Sequence, residues 1–384
     1  MTPRIILAVG YFFFALSITL FNYVLLSYLG SFLPEVYAGL VMAAGALVAV
    51  GCFIYLPRFV ARHGAQKVVL LFAFAGMIML FALMATPSTA LRVTLAALLI
   101  SIQPLLLYEL DLLLEATFDA ENTTARVRTL FMTGGNLGTF AAPFLMGTLL
   151  GPTGMYKHVF LAGAVALVAF IVLIVSRRLP AEEAMAPSHI RETCMAIARN
   201  RDLAGVTLAH LVMYLLSIWA TFYTPVYLHT VIGIPWSTLG WMFSLMLLPY
   251  VLIEYPAGVI ADTYLGDKEL MFAGFLIAGS ALGLMSTLSP ASSIFFILCI
   301  LMATRVGAAL VESMTEGHFF RRVSNKDIAS VSVFRGVWPL GSIIAPIVAT
   351  AILSFGTYQL FFAIVGIIVM VVGTFATFCV KDFR

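Results

Sequence analysis

Between Val159 and Val175 the chain reads VFLAGAVALVAFIVLIV, without one side chain able to hydrogen-bond. About 18 or more residues of this kind are what a helix needs to cross the roughly 30 Å hydrocarbon layer of a bilayer. Such runs fill nearly the whole sequence. We read twelve of them, helices 1 to 12, at approximately 5–29, 38–57, 67–86, 93–118, 128–150, 158–176, 203–229, 237–261, 269–288, 292–318, 328–353 and 357–380. Composition agrees, since 62% of the residues are hydrophobic and 10% are charged, against roughly 45–50% and about 25% in a soluble domain. A membrane barrel would instead show stretches of about ten residues alternating apolar and polar. No stretch here alternates in that way, so the expected fold class is an all-α membrane protein with twelve transmembrane helices.

The first run follows a single Arg4, is longer than a signal-peptide core and lacks a small-residue cleavage site near its end, so it reads as a retained helix. Cys52, Cys194, Cys299 and Cys379 show no paired spacing. They suggest neither a disulfide framework nor a metal site, and no cofactor is expected. An even number of helices puts both termini on one side. Basic residues such as Arg58, Arg62, Lys67, Arg177, Arg178, Lys268, Arg321, Arg322 and Lys381 collect on the terminal side, and only Arg92 and Lys157 fall in loops on the other. Loops rich in Lys and Arg stay in the cytoplasm. Both termini are therefore expected to be cytoplasmic, in a bacterial cytoplasmic membrane, and the net charge of +3 is an orientation signal with no nucleic-acid partner implied.

The second half repeats the first. At a shift near 200 residues, Leu16-Ser17-Ile18 meets Leu216-Ser217-Ile218 and Tyr23 meets Tyr223; with small insertions Gly64 meets Gly266, Glu109 meets Glu312, Gly138 meets Gly341 and Pro143 meets Pro346. Ordered matches along a slowly drifting shift imply two pseudo-symmetric six-helix halves, 1–176 and 203–384, joined by a cytoplasmic linker at 177–202 in which IRETCMAIARN has the pattern of a short amphipathic helix. Paired halves of this kind usually bind a solute at their interface near the midplane. A duplicated bundle that transports nothing is the bland alternative.

Five charges crowd into EYPAGVIADTYLGDKE at 254–269. Within it Gly258, Asp262, Gly266 and Lys268 resemble the loop motif of the major facilitator superfamily, in which a glycine, an aspartate, a second glycine and basic residues join helices 2 and 3, with a weaker copy between helices 8 and 9. Here the better copy is the second. The first, PRFVARHGAQK, keeps Arg62, Gly64 and Lys67 but has Pro57 and Ala61 at the positions of the glycine and aspartate. Helix 5 carries GGNLGTFAAPFLMG, in which Gly138, Pro143 and Gly147 resemble the motif of major facilitator antiporters; Ala142 and Met146 replace two of its glycines, and Gly341 and Pro346 echo it in helix 11. Small residues at four-residue spacing let helices approach closely and proline permits a bend. The resemblance covers essentially the whole chain and implies the twelve-helix major facilitator fold. It also implies a cytoplasmic gate at the two loops, with Asp111, Glu115 and Arg335 near that end.

A charge at the bilayer centre costs about 2.5–3.5 kcal/mol on insertion scales, so each one needs a partner, water or a task. Helix 4 carries Glu109, Asp111 and Glu115; helix 10 carries Arg305, Glu312 and Glu316; Glu254 and Arg335 lie in helices 8 and 11. The resemblance implies that helices 1, 4, 7 and 10 line a central cavity, which places Glu109 and its repeat mate Glu312 near the pathway. Arg305 precedes Glu312 by two helical turns on the same face, whereas Glu109 and Asp111 point about 200° apart. Arg305 is then either an anchor for an anionic substrate or a partner for Glu109, with Glu109 or Glu312 carrying a proton. In the bland reading all of them form inter-helix salt bridges. Asn22 and Tyr23 in helix 1 and His210, Tyr214, Trp219, Tyr223 and Tyr227 in helix 7 offer groups that either hold a solute or pack helices together.

The leading functional expectation is a secondary transporter for a small-molecule substrate, proton-coupled, with export or antiport favoured, working as a monomer. A sugar or organic-anion importer or facilitator is the alternative within transport; a non-transporting receptor or scaffold is the alternative outside it. No histidine pair at metal spacing, phosphate-cradling loop or nucleophile–base pairing points to an enzyme.

Overall fold

A computed structural model of the chain describes residues 2–117, 124–151, 154–179, 190–323 and 328–381. Among the described residues every regular element is helical. Helices 1 to 6 run Pro3–Gly30, Glu35–His63, Ala65–Ala85, Thr89–Glu115, Thr124–Leu150 and Tyr156–Val175, and a separate helix, Ile190–Arg199, follows. Helix 7 spans Arg201–Val231. Helix 8 comes in two pieces, Trp236–Met246 and Leu248–Thr263; helices 9 and 10 are Asp267–Met285 and Ile294–Arg322; helix 11 is also in two pieces, Ile328–Arg335 and Val337–Leu353; helix 12 is Tyr358–Cys379. Ten of these are long and apolar enough to cross a membrane by length and composition, and helix 5 and the interrupted helix 8 stand outside that group. Their outer faces agree with a lipid environment. On helix 12, Ile367, Val371, Phe375 and Phe378 are exposed at three- and four-residue spacing while Phe361, Phe362, Val365 and Val369 are buried, a stripe that only hydrocarbon would solvate well.

The helix ends show why the elements begin where they do. Ser88, Asn200, Ser293 and Thr357 accept hydrogen bonds from backbone N–H groups at the starts of helices 4, 7, 10 and 12, filling donors that the first turn leaves unpaired. At the other end of helix 4, Arg4 donates through Nε and Nη2 to the Thr117 carbonyl, at 3.2 and 2.6 Å. A cation at a helix C-terminus also meets the negative end of the helix dipole.

The chain divides into two compact units, Met1–Ala186 with Ile234–Ser244, and Pro187–Gly233 with Leu245–Arg384. In the first, helix 1 packs on helices 4, 5 and 6, helix 2 on helix 4, and helix 3 on helices 4 and 6. In the second, helix 7 packs on helices 10, 11 and 12, the later piece of helix 8 on helix 10, and helix 9 on helices 10 and 12. Adding six to each number of the first scheme yields the second, so both units use one packing plan. The linker expected at 177–202 is described at both of its ends. Gln66 Nε2 donates to the carbonyls of Ile174 and Arg177, both at 2.7 Å, and its Oε1 accepts from Leu179 N at 3.1 Å, which ties the start of the linker to the first unit. The amphipathic helix Ile190–Arg199 packs on helix 7 and on Ile328–Arg335 in the second. Residues 180–189 lie outside the described ones.

Candidate functional site

In the first unit, helix 4 buries one face through Ile102, Leu105, Leu106, Glu109, Leu110 and Leu113. Glu109 is thus carried into an apolar layer by its helical position. It is 0% exposed, and neither carboxylate oxygen has a hydrogen-bond partner among the described residues. Asp111 and Glu115, on other faces of the same helix, are half-buried and exposed, and both have interaction partners. One helical turn and a half before Glu109, Gln103 pairs with Asn22 of helix 1. Asn22 Nδ2 donates to Gln103 Oε1 at 3.1 Å and Gln103 Nε2 donates to Asn22 Oδ1 at 3.0 Å, so both amides are used on each other. Tyr23 is buried with its ring 5.3 Å from that of Phe243.

The helix 5 motif is a packing device in this unit. A Cβ on Gly134 or Gly138 would fall on the carbonyl oxygen of Ala8 or Phe12 in helix 1, and one on Gly147 would sit 2.8 Å from Gly240 Cα. Only glycine allows backbones so near. Pro143 lies inside the helix between them.

In the second unit the polar groups gather on helices 7, 8 and 10. Pro225 in helix 7 is flanked by two π-helical segments, Trp219–Tyr223 and Tyr227–Val231. A proline ring clashes with the carbonyl four residues earlier, here Thr221, and a wider turn relieves that clash. Thr221 Oγ1 accepts from Arg305 Nη2 at 3.4 Å. The Tyr250 hydroxyl interacts with the Arg305 guanidinium and with Ser217, and lies within the field of Glu312. Arg305 is 4% exposed, and its Nε has no partner among the described residues. Glu312 is half-buried and engaged with other groups; Glu316 and Arg335 are exposed and likewise engaged.

Other candidates in helix 7 are occupied with packing. Trp219 Nε1 donates to the Ala345 carbonyl at 2.9 Å, beside Pro346, which lies inside helix 11. His210 Nδ1 meets Thr315 Oγ1 at 2.9 Å and its ring stacks on Phe334 at 4.2 Å. The Tyr227 hydroxyl donates to the Met285 carbonyl at 2.9 Å. Tyr223 is buried with its hydroxyl unpartnered among the described residues. A Cβ on Gly341 would come 3.1 Å from Tyr214 Cβ, a tight but less exclusive contact than those of helix 5.

The gate motif lies at the end of helix 8 and the start of helix 9. The Asp262 and Glu254 side chains lie outside the described residues. A Cβ on Gly258 would meet nothing within 4 Å among the described residues. Gly266 starts helix 9 and its N–H donates to Glu269 Oε2 at 2.9 Å. Lys268 Nζ lies 6.0 Å from the centroid of the Phe378 ring. In the first copy Gly64 makes the turn at φ 84°, which favours glycine, and Arg62 and Lys67 are exposed.

The residue beside the motif glycine, Asp267, belongs to a network that sequence reasoning missed. His318 of helix 10 is 0% exposed; its Nε2 lies 3.0 Å from Asp202 Oδ1 and its Nδ1 3.2 Å from Asp267 Oδ2. Arg322 Nε reaches Asp202 Oδ2 at 2.9 Å, Arg321 Nη2 reaches Asp267 Oδ1 at 2.8 Å, and the Lys381 backbone N–H donates to Asp202 Oδ1 at 2.7 Å. Both aspartates occupy first turns, where the helix dipole favours negative charge. No cluster of metal-ligating side chains occurs among the described residues.

This doubled helix plan has close structural counterparts. Residues 206–382 match the family model described as Major Facilitator Superfamily. The nucleoside transporter NupG superposes with a TM-score of 0.77 at 14% identity, covering 99% of this chain and 100% of its own. The fold is that of the major facilitator superfamily. A peptide transporter, POT, in complex with sulfate gives a TM-score of 0.77 at 16% identity, over 97% of this chain and 93% of that one. A bacterial homologue of the human lysosomal transporter Spinster, inward-facing and unoccupied, gives 0.78 at 12%, over 98% and 96%. No curated protein matches the sequence. The family match thus covers the second half of the chain, the major facilitator fold covers all of it, and the subfamily stays open.

Proposed function

We propose that this protein is a secondary transporter that carries a small solute across the membrane by alternating access, coupled to protons and acting in export or antiport. It works as a monomer in a bacterial cytoplasmic membrane with both termini cytoplasmic, the side on which its basic loop residues collect. The fold supports the general reading, and solved transporters for nucleosides and peptides share that fold. The spacing of Gly138, Pro143 and Gly147 in helix 5 supports antiport.

The observation that carries the coupling is Glu109, buried in a membrane helix with both oxygens unpartnered among the described residues. An ionised carboxylate left so costs several kcal/mol. Carrying a proton removes that charge, and contact with water restores it. Such a group binds a proton while sequestered and releases it when the pathway opens. Glu312, its repeat mate, is partly exposed and already engaged, so the coupling proton is assigned to Glu109 alone.

Glu109→Gln and Glu312→Gln in proteoliposomes separate the roles. Glu109→Gln should lose transport driven by a pH gradient and keep solute exchange without one; Glu312→Gln should keep both. Wild-type pH-driven transport by Glu109→Gln would overturn the coupling and put a facilitator in its place.

A further inference from the structure

The second unit treats its buried charges unequally. Asp202 and Asp267 are each met by His318 and by an arginine. Arg305 is as deeply buried and makes no salt bridge among the described residues; its neighbours there are hydroxyl groups, Thr221 Oγ1 at 3.4 Å and Tyr250, which also interacts with Ser217 and feels the charge of Glu312. Nε has no partner among the described residues. A guanidinium offers five N–H donors in a planar fork that fits two oxygens of one anion at once, and few of those donors are used here. The burial pattern has a direction, because Ser217, Thr221 and Tyr250 are partly exposed while Arg305 is enclosed. The cation is therefore enclosed, and the residues that carry the neighbouring hydroxyls are each partly exposed.

A buried cation without a salt bridge among the described residues costs free energy that an arriving anion would recover. Hydroxyls fit that role better than carboxylates would, since they can donate to an anion without first cancelling the arginine. The π-helical turn around Thr221 fits the same role, for such turns commonly mark functional positions in helices.

We infer that Arg305, with Ser217, Thr221 and Tyr250, receives an oxyanion of the transported solute, so that the substrate class is organic anions bearing a carboxylate or a phosphate. This rests on the transporter reading above and adds the substrate's chemistry to it.

The test uses full-length purified protein and matched pairs: benzoate against benzamide, glucuronate against glucuronamide, and glucose 6-phosphate against glucose, with inorganic phosphate alone as a further arm. The thermal unfolding midpoint is read as each is titrated. At least one anion should raise it where its neutral twin does not, and the pair that responds tells carboxylate from phosphate. Arg305→Gln should abolish that shift. Thr221→Val should weaken the response about 10-fold, the order expected for one hydrogen bond to a charged group. Should Arg305→Gln fail to fold, Arg305→Lys keeps the charge without the fork and should still lose at least that much. A panel on which no anion outperforms its neutral twin, or an Arg305 variant that keeps the anion response, overturns the assignment. Counterflow of the panel then separates the two ideas. A neutral solute carried by the wild type leaves the transporter reading standing without the anion. An anion bound at Arg305 and never carried does the reverse.

Discussion

His318 joins the starts of two helices through one ring. Each of its nitrogens faces a carboxylate oxygen, Asp202 Oδ1 at 3.0 Å and Asp267 Oδ2 at 3.2 Å. Removing one partner of a buried pair costs about 3–5 kcal/mol because it strands the other charge. His318→Leu should therefore lower the thermal midpoint of the purified protein strongly, whereas Arg321→Gln, at a side chain 42% exposed, should change it little; a wild-type midpoint for His318→Leu would contradict the network. None of this is visible in a local pattern, because Asp202 and His318 are 116 positions apart and TEGHFF offers only a polar turn in an apolar helix. The same distance problem explains Trp219 and His210. Helical spacing singles them out as polar, but their partners Ala345 and Thr315 stand 126 and 105 positions away. Glu109 and Arg305 are different. A charge inside an apolar run is conspicuous from sequence, and neither has a salt bridge among the described residues.

Among the elements, helix 5 gives the sharpest packing statement. Gly138 has the Phe12 carbonyl where its Cβ would go, so Gly138→Ala should cost about 1–3 kcal/mol through overpacking. In a helical stretch, Gly258 has open space around its Cβ position among the described residues, and there Gly→Ala should gain about 0.5–1 kcal/mol by lowering the entropy of the unfolded chain. Thermal unfolding of the two variants side by side checks this, and equal destabilisation would contradict the assignment of separate roles. Helix positions are legible because long apolar runs have few alternatives in a bilayer. Interruptions track prolines near the start of the second piece: helix 8 breaks at Leu247, two residues before Pro249, and helix 11 at Gly336, three before Pro339, while Pro256 and Pro346 remain inside helices. In helix 7, likewise, Pro225 sits where the π-helical turns form.

For the whole molecule, a drifting match between halves in the sequence becomes one packing plan used twice. What the repeat does not show is that 234–244 groups with the first unit, an exchange set by the close fit of Gly240 on Gly147 and of Ser244 Oγ on the Phe140 carbonyl at 2.9 Å. Symmetry also hides a difference in environment. Glu109 and Glu312 match by repeat position, yet only Glu109 is fully buried and unpartnered among the described residues. The most direct test of the central claim is solute-driven proton movement, followed with a pH dye sealed inside proteoliposomes while a gradient of a transported solute is imposed. Wild-type protein should move protons with the solute, and Glu109→Gln should carry solute in exchange while moving none. Equal proton movement by the variant, or none by the wild type while solute crosses, would contradict the account.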